Sequence, residues 1–282
     1  MMTYPVAPTE ETLRAEIVLT GKLLYERGLI VATDGNISAR LDDQRILITP
    51  SGLCKGLMNP DQIIIIDLEG RKVGPETAAN QNLKPTSETS MHLEAYRQRP
   101  EVAAVVHAHP PHAIALSIAG ISLAKCLLPE AMLFLGLPPT TPYSTPSSVE
   151  NAQAIRDVIK GHDAVILERH GSLTVGASPL NAYYRTETLE QVARITYMLN
   201  QLGGGQPLPA FQVEKLLKIR QGLGLSRAAD AGDFCELCGV CHLDGQHHSP
   251  RPDSGLKSEL SNPSEAELAR LIAERVMQVL KR

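Results

Sequence analysis

The sequence predicts an α/β fold, and three observations support this class. Short β-branched runs such as "RILIT" and "QIIIID", bounded by Pro, Gly and Asp, are typical of strands. Longer stretches with apolar residues at helical spacing alternate with these runs. The runs "DAVILERH" and "SLTVG" are joined only by a turn at Gly171. This indicates antiparallel pairing, because parallel strands need a long crossover.

The predicted elements cover most of the chain. Residues 9–27 form the first helix, because Leu13, Ile17 and Leu24 share one face. The later elements are strands at 45–49 and 62–67, a helix at 86–99, a strand at 102–109, helices at 110–120 and 147–161, strands at 163–170 and 172–176, and a helix at 179–202.

The character of the sequence changes after Gly222. We predict a main domain at 8–225, a linker at 226–263 rich in Gly, Ser, Pro and Asp, and an amphipathic helix at 264–282. Ser264 and Glu267 form a capping box for that helix. Its apolar stripe predicts binding to a partner or targeting. The stripe consists of Leu268, Leu271, Ile272, Val276, Val279 and Leu280.

Composition and charge exclude several functional classes. The chain has 282 residues, of which 43% are hydrophobic, and this is enough for a sizeable core. Its net charge is -4, and no stretch has the density of Lys and Arg that nucleic-acid binding requires. No apolar run is long enough to span a membrane, and "MMTYPVAPTEE" is acidic where a secretory signal is basic. We therefore expect a cytoplasmic protein.

The stretch "VVHAHPPH" contains a candidate metal site. His107 and His109 share one face of the predicted strand, since side chains at i and i+2 point the same way. Zinc needs at least three protein ligands. The candidates for the third are His92, His112, His162 and His170. His170 stands out because it ends a predicted strand, although a lone histidine can simply be a hydrogen-bonded group at a strand end.

Three turns combine Gly with small hydrogen-bonding side chains: "TDGNIS", "ITPSGL" and the start of "KPTSETSMH". Such groups at a helix N-terminus can hold a phosphate, and Glu88 adds a carboxylate beside Thr86 and Ser87. The competing interpretation is ordinary turn chemistry, with Glu88 stabilised by the helix dipole.

Five motifs, in this order, resemble the class II aldolase/adducin family over about residues 11–202. They are "GLIVATDGNIS", "ITPSGL", "KPTSETSMHLEAYRQRPEVAAVVHAHPPHAIALS", "PYSTPSS" and "LERHGSLTVG". The resemblance is greatest to the family's aldolases that act on L-fuculose 1-phosphate. It implies a three-layer α/β/α fold around a mostly antiparallel sheet. It also implies a homotetramer with active sites at the subunit interfaces.

The resemblance also implies the roles of individual residues. His107, His109 and His170 match the zinc-binding histidines, whereas His112 matches no ligand. Glu88 matches the carboxylate that approaches the metal and acts as acid and base. The positions that match the substrate-phosphate site are Gly35, Asn36, Ser51, Gly52, Thr86 and Ser87.

The implied activity is zinc-dependent cleavage of a deoxyketose 1-phosphate to dihydroxyacetone phosphate and L-lactaldehyde through a metal-stabilised enediolate. Leu128 stands where the aldolases have a tyrosine from the neighbouring subunit, and the candidates to replace that tyrosine are Tyr143, Tyr183 and Tyr184. The alternatives are L-ribulose-5-phosphate 4-epimerase, another sugar-phosphate lyase of the family, and a non-catalytic adducin-like interaction domain.

Two features lie outside the resemblance to the aldolases. "CELCGVCH" has two successive C-x-x-C spacings, which predict a second, structural metal site at Cys235, Cys238, Cys241 and His242. An odd total of five cysteines fits thiols or metal ligands better than disulfides, although the cluster can also be incidental. An iron–sulfur cluster would need a fourth cysteine that this spacing does not supply. The helix at 264–282 resembles the encapsulation peptides of bacterial microcompartments, which implies a shell-protein partner. The alternative is docking on the tetramer.

Overall fold

A mixed sheet lies at the centre of the structure, which is a computed structural model that describes residues 8–241. Within those residues its strands are β1 (Asn36–Arg40), β2 (Arg45–Ile48), β3 (Ile64–Asp67), β4 (Ala104–Ala108), β5 (Thr140–Thr141), β6 (Ala164–Leu167) and β7 (Gly171–Gly176). The spatial order is β3-β2-β1-β4-β7-β6-β5. All neighbouring strands are antiparallel except β5 and β6, which confirms the predicted mostly antiparallel sheet.

Helices cover both faces of this sheet. They are α1 (Glu10–Glu26), α2 (Thr89–Gln98), α3 (Pro111–Ile118), α4 (Pro129–Phe134), α5 (Val149–Arg156), α6 (Pro179–Gln201), α7 (Ala210–Gly222) and α8 (Asp230–Cys238). Side chains alternate across the strands, so Ile46 packs with α2 and α5, whereas Leu47 packs with α1 and α6. The same alternation separates Val105 from Val106, and it produces the predicted three layers.

Local sequence explains where several helices begin. The Thr9 hydroxyl accepts a hydrogen bond from the Thr12 amide at 3.2 Å and caps α1. Ser178 caps α6 in the same way, and Pro179 occupies the first helical position, where its missing N–H costs nothing.

Two of the differences between the structure and the sequence-based boundaries concern the predicted turns and the predicted linker. β1 begins at Asn36, inside the "TDGNIS" stretch that was interpreted as a turn. The predicted linker at 226–263 starts with α8, because Phe234 is fully buried against apolar side chains of α4 and α7 that are remote in sequence. His242 and the predicted helix at 264–282 lie outside the described residues. Within residues 8–241, no helix is long and apolar enough to span a membrane.

Candidate metal centre

Three histidines converge at one end of β4. His107 lies on β4, His109 follows it, and His170 lies in the turn between β6 and β7. β4 pairs with β7 so that Ala108 faces Ser172, which brings that turn beside the two histidines. One ligand atom from each of the three residues lies within 4.8 Å of the others. The three side chains are therefore placed to hold one metal ion.

Hydrogen bonds fix which ring nitrogens face inward. His107 Nδ1 lies 2.9 Å from the carbonyl of Ser172, and His109 Nδ1 lies 3.3 Å from a carboxylate oxygen of Asp34. Both oxygens can only accept, so each Nδ1 carries the hydrogen and each Nε2 is left to face its neighbour. The two Nε2 atoms are 3.0 Å apart. Two lone pairs at this distance repel unless a proton or a cation lies between them, so the donor set fits a metal ion.

Burial keeps two of these rings neutral. The pKa values of His109 and His170 are each lowered to about 4, first by burial and then by the neighbouring His107. At neutral pH both rings are therefore unprotonated, the form in which imidazole binds a metal. His170 Nδ1 is buried, and it has no hydrogen-bond partner among the described residues. An imidazole with this much unused bonding capacity suits a ligand position.

Glu88 closes the fourth side of the cluster. It lies at the N-cap of α2, and its Oε2 is 3.1 Å from His107 Nε2, while Oε1 is 3.5 Å from His170 Nε2. Burial alone would raise the pKa of Glu88, but the contacts with His107 and with the amide of Asn36 outweigh burial and hold this pKa well below its usual range. The carboxylate is therefore ionised and directed at the three rings.

A buried chain of hydrogen bonds fixes Glu88 from behind. The Asn36 amide donates to Glu88 Oε2 at 2.9 Å, so Asn36 Oδ1 must accept from His92 Nε2. Burial lowers the pKa of His92 to about 3, so its other nitrogen, Nδ1, is an acceptor and takes a hydrogen bond from Ser38 at 2.7 Å. Ser38 in turn accepts from the Tyr96 hydroxyl at 2.9 Å. Each donor in this chain has one consistent direction. His92 is therefore a supporting residue and no metal ligand, and sequence reasoning missed Ser38 and Tyr96.

A cavity of about 320 Å³ adjoins the cluster. Its lining includes Glu88, His109 and His170 together with all six positions predicted to hold a phosphate. Those positions are Gly35, Asn36, Ser51, Gly52, Thr86 and Ser87. Gly35 and Gly52 have φ values of +67° and +76°, a region that favours glycine.

Sequence reasoning missed a cation in this cavity. Lys55 is buried, and its Nζ donates to the carbonyl of Thr33 at 2.5 Å. Burial lowers the pKa of Lys55 from its ordinary value. The signal was present in the sequence, because Lys55 follows the "ITPSGL" turn by two residues. Ser147 is a second missed residue, and its hydroxyl donates to that of Ser87 at 2.9 Å.

Two predicted candidates for the third ligand have other partners. His112 Nδ1 lies 2.7 Å from Glu190, in a separate cavity of about 700 Å³ that Leu128 also lines. His162 lies between the carbonyl of Val158 and the carboxylate of Asp233. Neither histidine reaches the metal cluster.

None of the tyrosines considered as a proton donor lines the 320 Å³ cavity within this subunit. Tyr143 and Tyr184 are exposed, whereas Tyr183 is buried and its hydroxyl donates to Glu187 at 3.1 Å.

The cysteine cluster differs from the predicted thiol arrangement. The structure joins Cys235 to Cys241 and Cys238 to Cys126 as disulfides. The predicted fourth ligand, His242, lies outside the described residues. Cys126 is distant in sequence, so the spacing "CELCGVCH" gave no sign of its presence.

Comparison with known proteins agrees with this geometry. The family model described as Class II Aldolase and Adducin N-terminal domain matches residues 15–197. The chain is 36% identical over 187 residues to an L-fuculose phosphate aldolase of Methanococcus maripaludis, with 66% of this chain and 97% of that protein covered. It is 32% identical over 187 residues to a 3-oxo-tetronate 4-phosphate decarboxylase of Haemophilus influenzae, with 65% and 86% covered.

Solved structures give the same result. The crystal structure of YgbL from Klebsiella pneumoniae matches with a TM-score of 0.66 and 30% identity. The match covers 74% of this chain and 100% of that chain. The matched family segment contains β1 to β7 together with the three converging histidines and Glu88. The chain therefore belongs to the class II aldolase and adducin N-terminal domain family.

Proposed function

We propose that this chain is a zinc-dependent aldolase that cleaves L-fuculose 1-phosphate to dihydroxyacetone phosphate and L-lactaldehyde. Its membership of the family and its similarity to aldolases and decarboxylases show that it is an enzyme with lyase activity. One observation carries the proposal: three imidazoles, a buried carboxylate and the turns predicted to bind a phosphate meet at one cavity. The similarity to the Methanococcus maripaludis aldolase supports the choice of sugar.

The three histidines would hold the metal ion, and the bound ion would supply a Lewis acid that makes the neighbouring C–H bond of the substrate acidic. His107 and His109 are oriented for this by the Ser172 carbonyl and the Asp34 carboxylate. These outer contacts fix the tautomers and raise the basicity of the ligands.

Glu88 would move the proton between substrate carbon and solvent. Its low pKa makes it a carboxylate when the substrate arrives, so it enters the reaction as the base. Asn36 holds Oε2 through a single hydrogen bond at 2.9 Å, and Asn151 approaches Oε1 at 3.4 Å. The two amides restrict the carboxylate to one orientation, which is what a proton transfer to a fixed carbon requires.

The substrate phosphate would bind in the cavity beside Glu88. Hydroxyls of Ser51, Thr86 and Ser87 line its wall, and Lys55 adds a buried ammonium group. A dianion in this position would favour the charged form of Lys55 and offset the burial that lowers its pKa. The cavity is therefore suited to a small phosphorylated substrate.

A second candidate function is decarboxylation of a 3-oxo-tetronate 4-phosphate. The Haemophilus influenzae relative named for that activity is 32% identical to this chain. Leu128, which lacks a proton to donate, stands where the aldolases have their tyrosine, and a decarboxylation yields no aldehyde oxygen that needs protonation. A 4-epimerase remains a third outcome of the test. A non-catalytic adducin-like domain fits poorly, since the chain keeps the three histidines and Glu88 together.

The test measures dihydroxyacetone phosphate release from L-fuculose 1-phosphate by the zinc-loaded parent, His109→Ala and Glu88→Gln. We expect activity in the parent and its loss in both variants, with zinc retained in Glu88→Gln. His112→Ala is the matched control, because this histidine lies outside the cluster. Carbon dioxide release from 3-oxo-tetronate 4-phosphate, without cleavage of the sugar phosphate, would replace the aldolase proposal with the second candidate. A parent that binds no metal at the histidines would refute both.

The assembly and location of the enzyme are part of the same proposal. A homotetramer would place Leu128 and the tyrosines of one subunit near the cavity of another, and analytical ultracentrifugation of the full chain tests this. The segment 264–282 would direct the enzyme to a microcompartment shell, where a reactive aldehyde product is confined. A fluorescent protein that carries residues 250–282 should co-localise with shells, and diffuse fluorescence would refute the targeting role.

A further inference from the structure

Four of the five cysteines meet at the end of α8, although one of them is far away in sequence. Cys235 and Cys238 lie one turn apart on α8. Gly239 ends the helix with φ of +71°, and this left-handed turn brings Cys241 back to within 4.2 Å of Cys235, measured between Cα atoms. The fourth is Cys126, which precedes α4 and lies 6.1 Å from Cys238 between Cα atoms. The fifth cysteine, Cys54, is elsewhere and unbonded.

We propose that these four cysteines, in their reduced form, bind one structural zinc ion. Four sulfur ligands in a tetrahedral set are typical of structural zinc. The site needs no histidine, because Cys126 supplies the fourth ligand that the sequence spacing alone had assigned to His242. The structure contains the same four sulfurs as two disulfides.

Conversion of the two disulfides to a zinc site requires a reductant and releases protons. Each disulfide takes up two electrons and two protons from a dithiol reductant, which itself becomes a disulfide. The four thiols then release four protons as their thiolates bind one Zn²⁺. No residue has to be brought from another part of the fold, since the four cysteines are already adjacent.

The spacing of the cysteines favours a single ion over an iron–sulfur cluster. A C-x-x-C-x-x-C run with one remote cysteine also occurs in iron–sulfur proteins. A cluster, however, occupies the space between its sulfur ligands and holds them apart. The Cα atoms of Cys235 and Cys241 are only 4.2 Å apart, and Cys126 is 1% exposed and enclosed by apolar side chains. An iron–sulfur cluster is larger than one zinc ion, so it would have to displace these packed side chains further.

The position of the site indicates what it does. The family match ends at residue 197, so α7 and α8 form an extension of the family domain. α8 spans only 9 residues and is too short to be stable alone. It is held by Phe234 in an apolar cluster with α4 and α7, by Arg220 paired with Asp230, and by His162 paired with Asp233. A zinc ion would join the end of α8 to the segment before α4 and so fasten the extension to the domain.

The test is the zinc content of the full-length protein prepared with zinc and a dithiol reductant. We expect two zinc ions per subunit in the parent, one at the histidines and one at the cysteines. Cys126→Ser and Cys238→Ser should each bind one fewer, and Cys54→Ser is the matched control that should keep both. His109→Ala should lose the other ion, so the two sites are counted separately and without any measurement of activity.

A second measurement does not depend on a variant that folds. Cobalt(II) bound to four thiolates gives a strong sulfur-to-metal charge-transfer absorption, which imidazole ligands do not give. The cobalt-loaded reduced parent should show this band, and oxidation of the thiols should abolish it. A reduced parent that binds one zinc and shows no such band would overturn the proposal. Iron with inorganic sulfide at the cysteines would also overturn it, because the site would then be a cluster.

Discussion

Replacing Asn36 by alanine tests the hydrogen-bond chain behind Glu88. The change removes the donor that lies 2.9 Å from Glu88 Oε2 and the acceptor for His92 Nε2. The loss of the hydrogen bond to His92 should cost more than the loss of the hydrogen bond to Glu88. Asn36 borders the 320 Å³ cavity, so water can enter and solvate Glu88, whereas the His92 side chain is fully buried and its N–H is left without a partner.

The expected cost in the free energy of unfolding follows from these contacts. An unpaired buried donor costs about 1–3 kcal/mol, and the replacement of a charge-assisted hydrogen bond by water costs about 1 kcal/mol more. We therefore expect Asn36→Ala to lower the free energy of unfolding by roughly 2–4 kcal/mol. The same change leaves the Glu88 carboxylate free to rotate. If this costs about 1.4 kcal/mol or more in the transition state, kcat/KM should fall about tenfold or more.

The assay is urea unfolding followed by circular dichroism at fixed protein concentration, since the chain has no tryptophan to report unfolding by fluorescence. Tyr96→Phe is the comparison, because it removes only the last donor and leaves Ser38 with an unused lone pair. We expect it to cost only about 0.5–1.5 kcal/mol. Equal destabilisation by Tyr96→Phe and Asn36→Ala would show that the donors and acceptors between Asn36 and Tyr96 are reversed from those assigned above.

Three further predictions concern the metal, the pH dependence and the phosphate. His109→Ala should lower the zinc content by one ion per subunit and His112→Ala should not, as measured by plasma mass spectrometry; equal loss in both would contradict the assigned ligands. Burial opposes the charge of His162, but the Asp233 carboxylate outweighs it and raises the pKa of His162. Its stabilisation is therefore complete below about pH 6.5 and lost as the pH rises through the raised pKa, so Tm should fall across this range in the parent but not in Asp233→Asn. Lys55→Met should raise KM for the phosphorylated substrate about 10- to 100-fold, because a charge-assisted hydrogen bond is worth about 1.5–3 kcal/mol. The zinc content should not change. An unaltered KM would exclude Lys55 from phosphate binding.

Local sequence patterns were sufficient for much of this protein. The period of two along the predicted strand at 102–109 placed His107 and His109 on one face. Isoleucine runs located β2 and β3, and apolar residues at helical spacing located α1, because these signals act within a few residues of the chain. The resemblance carried by the five motifs singled out Glu88, His170 and the six turn positions, and the structure places all of them around one cavity.

Tertiary structure decided the features that depend on residues distant in sequence. His170 reaches the other two histidines only because β7 pairs with β4, and the direction of the Glu88 carboxylate depends on Asn36, about fifty positions earlier. Lys55 becomes a cavity residue only when its turn folds against Thr33. Cys126 and Cys238 are 112 positions apart, and no local period records that they meet. Hydrophobic period and capping report on neighbours along the chain, whereas a site is assembled by the pairing of strands and the packing of helices.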